Sequence, residues 1–394
     1  MSFVTLSHSA VCSGLLALAI HGGIWSRLQL PATPGRGSPS DSFDTLRQRA
    51  DEARTGGRFE EAIDLYGRAL RLRPAWVEGH WYLGTTYYEI EKYPACRDAF
   101  SRVVRLQTKN GAAWAFKGLC EFRLKNYSVA LADLNKAHGL AVGDANLIPV
   151  ARYHRAILLT RFEHYEGALQ VLDEFAREGN SSPMIAEAMG IAVLRLPLLP
   201  GELPAGKRDV VLLAGRANFL AASNMRDATQ QGFDELLRRY PDTPNVHYLY
   251  GVYLLRDRPA QALDEFNQEL RVSPNHARAM LQLAQEALKR GELQAALRWA
   301  DKAVRITPRS FVGRRVLGQI KLELNDIGGA VTELETAAKL EPDSPSVRYA
   351  LARAYQRAGR AADAKRERAE FLRLERLQQE QRGGANAVGG GPPK

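Results

Sequence analysis

The sequence predicts an all-α protein, a solenoid of stacked helix pairs, and two observations carry that reading. The first is a self-similarity: Gly291, Ala296, Ala303 and Pro308 return as Asn325, Ala330, Ala337 and Pro342, each 34 residues later. The second is the chemistry of the recurring residues. Small residues in the first helix (Ala284, Gly318) and early in the second (Ala296, Ala330) let two helix axes approach closely. Pro308 and Pro342, lacking a donor and fixing their own backbone, end the second helix. Gly291 and Asn325 tolerate a left-handed conformation and mark the turn between helices. A chain of 394 residues would ordinarily divide into two or three domains, but a solenoid grows by adding units and escapes that expectation.

The period and the several matched positions per unit resemble the tetratricopeptide-repeat family. The resemblance implies a right-handed helical solenoid of about nine helix-turn-helix repeats, interrupted once, that works as a non-catalytic protein-interaction module. It also implies where a partner lies, along the groove lined by the first helix of each pair.

Residues 1–32 read as a signal peptide or anchor. Ala10 to Ile20 is an apolar run too short to cross a bilayer as a helix of about 20 residues. A Pro/Gly/Ser-rich linker follows, assigned to 33–42. No Lys or Arg precedes the run, and its small-x-small site, Ala17 to Ala19, falls inside it, so an uncleaved anchor stays open beside a removable export signal. The expected location is therefore exported, periplasmic or secreted, with the cytoplasm as the alternative.

Repeats one to four occupy 43–180. Ala50, Gly57, Ala62, Tyr66, Ala69 and Pro74 define the first. The second keeps Leu83, Gly84, Tyr87 and Phe100 but has Cys96 at a small position and Thr108 where proline is usual. Trp114, Gly118, Ala130, Leu134 and Ala137 define the third, and Ala156, Leu159, Ala168 and Leu172 the fourth. The register breaks over 181–209. There one further helix is followed by PLLPGELPAGKR, whose prolines and glycines exclude a helix. This insert reads as a connector for an unpaired helix or as a loop folded over the groove.

Repeats five to nine and a capping helix occupy 210–378. They close at Pro241, Pro274, Pro308 and Pro342, and the 33-residue step from Pro241 to Pro274 suggests one residue lost from the turn near Arg258 and Pro259. The ninth has Ala352, Tyr355, Gly359 and Ala364 and runs into a charged extension, as a terminal cap should. Residues 379–394 are the polar helix end and a flexible Gly/Pro tail.

Few residues point to chemistry. Gly201 to Lys207 has phosphate-loop spacing, but Arg208 replaces the Ser/Thr that would hold magnesium, and no strand precedes it. Cys96 and Cys120 fall on packing helices of adjacent repeats, as two small buried hydrophobes or as a disulfide. His154 and His164 lack the spacing of a zinc motif, and the Asn126 and Asn180 triplets match the glycosylation pattern by chance. No nucleophile elbow, metal cluster or cofactor fingerprint appears, so neither an enzyme nor a cofactor is expected.

What remains is the groove. Matching the family's groove positions gives Trp81, Thr85, Tyr88, Leu119, Phe122, Tyr153 and Ile157 early in the chain. Late in the chain it gives Arg278, Lys289, Arg315, Gln319, Arg353, Gln356 and Arg357. Aromatics and arginines are the residue types enriched among binding hot spots. The expected partner is a protein or peptide segment, with an apolar anchor on Trp81, Tyr88, Phe122 and Tyr153 and an acidic portion on Arg315, Arg353 and Arg357. The family's lysine/asparagine clamp for a terminal carboxylate is not matched, since Arg47 and Asp51, then Arg315 and Gln319 followed by Ala350, stand at its positions. A net charge of +10 keeps a nucleic-acid binder as the alternative function. A repeat-by-repeat code, however, needs the same polar positions in every unit, and the early groove is apolar. Membrane association follows only if the N-terminal segment is uncleaved.

Overall fold

The computed structural model describes residues 42–140 and 142–387, with side chains as far as 380. The signal or anchor at 1–32, nearly all of the linker, Cys12 and the last seven residues lie outside the described residues. Among the described residues there are nineteen α-helices and no strand, the all-α class expected. None of these helices is long and apolar enough to cross a membrane.

Ten helices precede the one that spans the boundary between two compact units, which falls between Gly232 and Phe233. They are α1 (Phe43–Thr55), α2 (Phe59–Leu72), α3 (Val77–Glu89), α4 (Tyr93–Leu106), α5 (Gly111–Arg123), α6 (Tyr127–Leu140), α7 (Leu147–Arg161), α8 (Tyr165–Arg177), α9 (Pro183–Val193) and α10 (Arg208–Ala222). Helix α11 (Arg226–Arg239) carries the boundary. The C-terminal unit continues with α12 (Val246–Leu254), α13 (Pro259–Val272), α14 (Ala277–Lys289), α15 (Leu293–Ile306), α16 (Phe311–Glu323), α17 (Ile327–Leu340), α18 (Pro345–Arg357) and α19 (Ala361–Ala387). The sequence places a flexible tail from Gly383, whereas α19 runs on to Ala387. Once a helix is nucleated, each further residue adds a bond, and two glycines do not stop it.

Within a pair, a small residue on the first helix receives a large one from the second. A Cβ on Gly318 would lie 2.6 Å from Leu334 Cγ, and Gly84 faces the Phe100 ring in the same way. The receiving large residues, Tyr66, Phe100 and Leu134 in the N-terminal unit and Phe266 and Leu334 in the C-terminal unit, are all at most 1 % exposed. Each such side chain contributes about 1.5–3 kcal/mol by leaving water. Ala296 and Ala330, the expected contact points, are fully buried.

The turns are left-handed as expected at Gly291 (φ 77°) and Asn325 (φ 65°). Glu91, Lys125 and Glu163 adopt the same conformation although their side chains do not favour it. In each of these turns three backbone N–H groups close onto the carbonyls ending the first helix, as in Lys92 to Tyr87 at 2.9 Å, and the motif holds the strained residue in place. Among the described residues, the turn 255–258 has no left-handed residue, which accounts for the 33-residue step.

A polar clip recurs at five of the junctions between repeats, whereas the Pro274 junction has the apolar Met280 at the equivalent position. In the first turn of the first helix, a side-chain N–H donates to the carbonyl six residues earlier, just past the end of the preceding second helix. The N-terminal unit shows it as His80 to Pro74 (2.9 Å) and Trp114 to Thr108 (3.0 Å). The C-terminal unit shows it as His247 to Pro241 (2.9 Å), Arg314 to Pro308 (3.1 Å) and Arg348 to Pro342 (2.9 Å). In the last three the same side chain also meets a largely buried carboxylate, Glu265, Glu333 or Glu367.

The insert leads into a helix pair. A Cβ on Gly190 of α9 would fall on the Val211 carbonyl, and one on Gly215 of α10 on the Ala186 carbonyl, so these two backbones touch. The helix read as unpaired is therefore the partner of α10. Between them, Pro200–Glu202 and Ala205–Lys207 form single 3₁₀ turns where the sequence excluded any helix; Pro200 at the first position donates nothing that such a turn needs. Arg161 donates to the Pro197 carbonyl at 2.6 Å, Tyr165 to the Arg195 carbonyl at 3.0 Å, and the Leu199 N–H to Glu202 at 3.0 Å. Leu199 is buried in the same apolar cluster as Ile157 and Leu159, with Tyr153 and Phe122 packed against it.

Candidate functional site

The first-helix aromatics of the N-terminal unit form a band. Trp81 on α3 stands edge-on to Phe100 at 5.4 Å and to Phe116 at 5.5 Å, and these two rings stack at 4.9 Å. Tyr88, two turns further along α3, meets Phe116 at 6.0 Å and Tyr93 at 5.7 Å. Phe122 on α5 packs against Tyr127 and, at 4.7 Å, against His154, which Tyr153 on α7 also meets. Trp81, Tyr88, Phe122 and Tyr153 are half-buried, so each ring is anchored in the core and keeps part of its surface in solvent. Leu119 and Ile157, assigned to the same face, are buried at 1 % and 5 % and belong to the core. Phe122 packs against both the α4–α7 cluster and the α7–α9 cluster and joins the two parts of the band.

His154 lies at the bottom of this band. Its Nδ1–H donates to the Val150 carbonyl at 2.8 Å. Burial holds its pKa down to about 4, against the partial help of that hydrogen bond, and the nearby Arg123 charge adds to the depression. His154 is therefore a neutral core residue.

In the C-terminal unit the three named arginines have different surroundings. Arg353 on α18 pairs with Glu323 of the preceding repeat at 3.3 Å. Arg357 donates to the Leu322 carbonyl at 2.6 Å and to Asn325 Oδ1 at 3.0 Å, holding α18 to the end of α16. Arg315 on α16 is half-buried and donates to Gln319, a neutral side chain, at 3.0 Å. Burial lowers its pKa, the signature of a guanidinium partly stripped of water. Val312, three residues before it on α16, and Tyr349 on α18 are both exposed, on the first helices of the eighth and ninth repeats.

Sequence reasoning missed the clip residues and their carboxylates. The signal was present, because Arg314 and Arg348, like Glu333 and Glu367, repeat at the 34-residue period.

Paired antiparallel helices, a left-handed turn and a recurring junction define a helical-repeat protein of the class that presents surfaces to partners. Comparison with known families gives its identity. The family described as "TPR repeat" matches residues 50–90 and 318–359, and "Tetratricopeptide repeat" matches 83–145 and 256–311. The chain is a tetratricopeptide-repeat protein. Among solved structures, the Cut9–Hcn1 hetero-tetramer of APC/C aligns at 14% identity over 85% of this chain and 79% of that one, with a TM-score of 0.36. A MamA protein aligns at 19% identity over 47% of this chain and 94% of its own, TM-score 0.38. MamA 41-end from Desulfovibrio magneticus RS-1 does so at 19% over 42% and 97%, TM-score 0.36. Similarities of this size support no statement about function. Proteins of the repeat family act generally in protein–protein interaction.

Proposed function

We propose that this chain is a non-catalytic scaffold that holds segments of a partner protein on its first-helix faces. An apolar contact lies on Trp81, Tyr88, Phe122 and Tyr153 of the N-terminal unit, and an acidic contact on Arg315, Arg353 and Arg357 of the C-terminal unit. The observation that carries this reading is the aromatic band, four half-buried rings on the first helices of three consecutive repeats, each fixed by neighbours. Rings already held in place lose little entropy on binding, which is what makes anchored aromatics effective hot spots. A carboxylate would meet Arg315 without displacing another carboxylate, whereas at Arg353 it would compete with Glu323. We further propose that the protein works outside the cytoplasm, a reading supported by the apolar run at Ala10 to Ile20.

The test uses the full chain immobilised against an extract of its native host, and then the recovered partner in kinetic measurements. Trp81→Ala should speed dissociation, and Arg315→Glu with Arg357→Glu should slow association, the latter effect shrinking at high salt because exposed charges are screened within about 8 Å at physiological ionic strength. Circular dichroism confirms that each variant is folded. A partner that binds both folded variants as well as the parent removes these faces as the site and turns attention to the insert around Leu198 and Leu199.

A further inference from the structure

Two departures from the repeat meet inside the N-terminal unit. Cys96 on α4 takes the position that Ala62, Ala130, Ala296 and Ala330 fill in other repeats, and Cys120 on α5 takes that of Ile320 and Ala354. Nothing in the repeat asks for sulfur at either place. Yet the two side chains are in contact and bonded through sulfur, with Cα atoms 6.2 Å apart, inside the range of about 4.4–6.8 Å that a disulfide spans. They are also the two cysteines of the described residues.

We propose that Cys96 and Cys120 are a modification site, a redox-responsive cross-link between the second and third repeats made by exchange with an external disulfide. In the first step the thiolate of one cysteine attacks a sulfur of that disulfide and expels one thiol, leaving a mixed disulfide on the protein. The second cysteine, deprotonated, then attacks the protein-bound sulfur and expels the other thiol. Two protein thiols are oxidised, one external disulfide is reduced to two thiols, and the two protons leave on those thiols.

Both cysteines are fully buried, in the same apolar cluster as Phe100 and Phe116. Exchange therefore takes place during folding or when α4 and α5 separate, and the finished bond is shielded from reductant in the closed state. The bond joins the second helix of one repeat to the first helix of the next. That junction is the contact a solenoid depends on, because each repeat touches only its neighbours. Closing the 24-residue separation between them also restricts the unfolded chain. The inference rests on the fold and holds whatever the aromatic band binds.

The experiment equilibrates the full chain with mixtures of oxidised and reduced glutathione, quenches with acid, alkylates in denaturant and measures intact and peptide masses. The expected result in the oxidising mixture is a peptide pair linked through Cys96 and Cys120 with no alkyl label on either. The oxidised form should melt several degrees above the reduced form, while C96A/C120A, which restores residues the repeat already uses at both positions, should melt at one temperature in both mixtures. Alkylated Cys96 and Cys120 after oxidising equilibration overturn the proposal. So does a link from either of them to Cys12, or equal melting of the oxidised and reduced parent. The mass measurement decides the matter on the parent protein even if the double variant does not fold.

Discussion

At the scale of single residues, the junction clip makes the sharpest test because two near-identical arginines differ in what they leave behind. Arg348 donates to the Pro342 carbonyl and meets Glu367, whose side chain is 14% exposed and, among the described residues, has no other cation within ion-pairing distance. Arg314 does the same with Pro308 and Glu333, but Glu333 also holds Lys321 at 3.1 Å. Arg348→Met should therefore strand a largely buried carboxylate and destabilise by roughly 1–3 kcal/mol, and Arg314→Met by distinctly less. Urea unfolding of the two variants checks this, and equal losses would show that the carboxylate is not what the arginine serves. The clip was legible in principle, since its members repeat at the same period as the small residues. It went unread because arginine and glutamate at helical spacing ordinarily describe a solvated face, and only burial separates the two cases. The pairing of Cys96 with Cys120 was legible only as one of two alternatives, because sequence fixes which helices they ride on and not the distance between them.

At the scale of elements, the helix pairs were legible because volume recurs. A small residue at Gly318 and a large one at Leu334 must alternate wherever two helices touch, and that alternation survives in the letters. Ala296→Leu and Ala330→Leu, both at fully buried positions, should each overpack their pair and lower stability by roughly 1–3 kcal/mol. The α9–α10 pair escaped notice because its two helices are separated by the insert, so the period is lost just where Gly190 and Gly215 bring the backbones together. At either position even a methyl group meets backbone. Gly190→Ala and Gly215→Ala should force the helices apart and lower the melting temperature. Gly67→Ala should do the opposite, since a Cβ there meets nothing within 4 Å and alanine is favoured over glycine inside a helix by about 0.5–1 kcal/mol. Thermal melts of the three variants give the comparison. A Gly190→Ala protein as stable as Gly67→Ala would mean that α9 and α10 do not pack backbone to backbone. The groove face was legible only in part, for Leu119 and Ile157 sit at groove positions yet are covered. Which groove positions stay open depends on the size of neighbouring side chains, and the repeat pattern does not encode that.

At the scale of the whole molecule, the two units should answer acid in opposite directions. In the N-terminal unit His154 is buried and neutral, with a folded pKa of about 4 against an unfolded value of about 6.5. Below pH 6.5 the unfolded chain takes up a proton that the folded chain refuses, so stability falls as the pH drops through this window, by roughly 2 kcal/mol at pH 5. In the C-terminal unit His247 is also partly buried, which works against its charge. The hydrogen bond and charge of Glu265 and the Pro241 carbonyl outweigh that burial and raise its pKa. Both ring nitrogens face acceptors, at 2.7 Å and 2.9 Å, so the imidazolium is the form that satisfies them. A raised folded pKa contributes stability that is fully present below about pH 6.5 and lost as the pH rises through the folded value. Hydrogen exchange, corrected for its intrinsic pH dependence, should therefore show the α7–α8 peptides losing protection between pH 7 and pH 5 while the α12–α13 peptides keep or gain it. His154→Leu should abolish the first change and leave the second, and His247→Leu the reverse. Parallel responses in both segments, or a parent-like acid response in the His154→Leu protein, would show that these two histidines do not set the acid behaviour of their units.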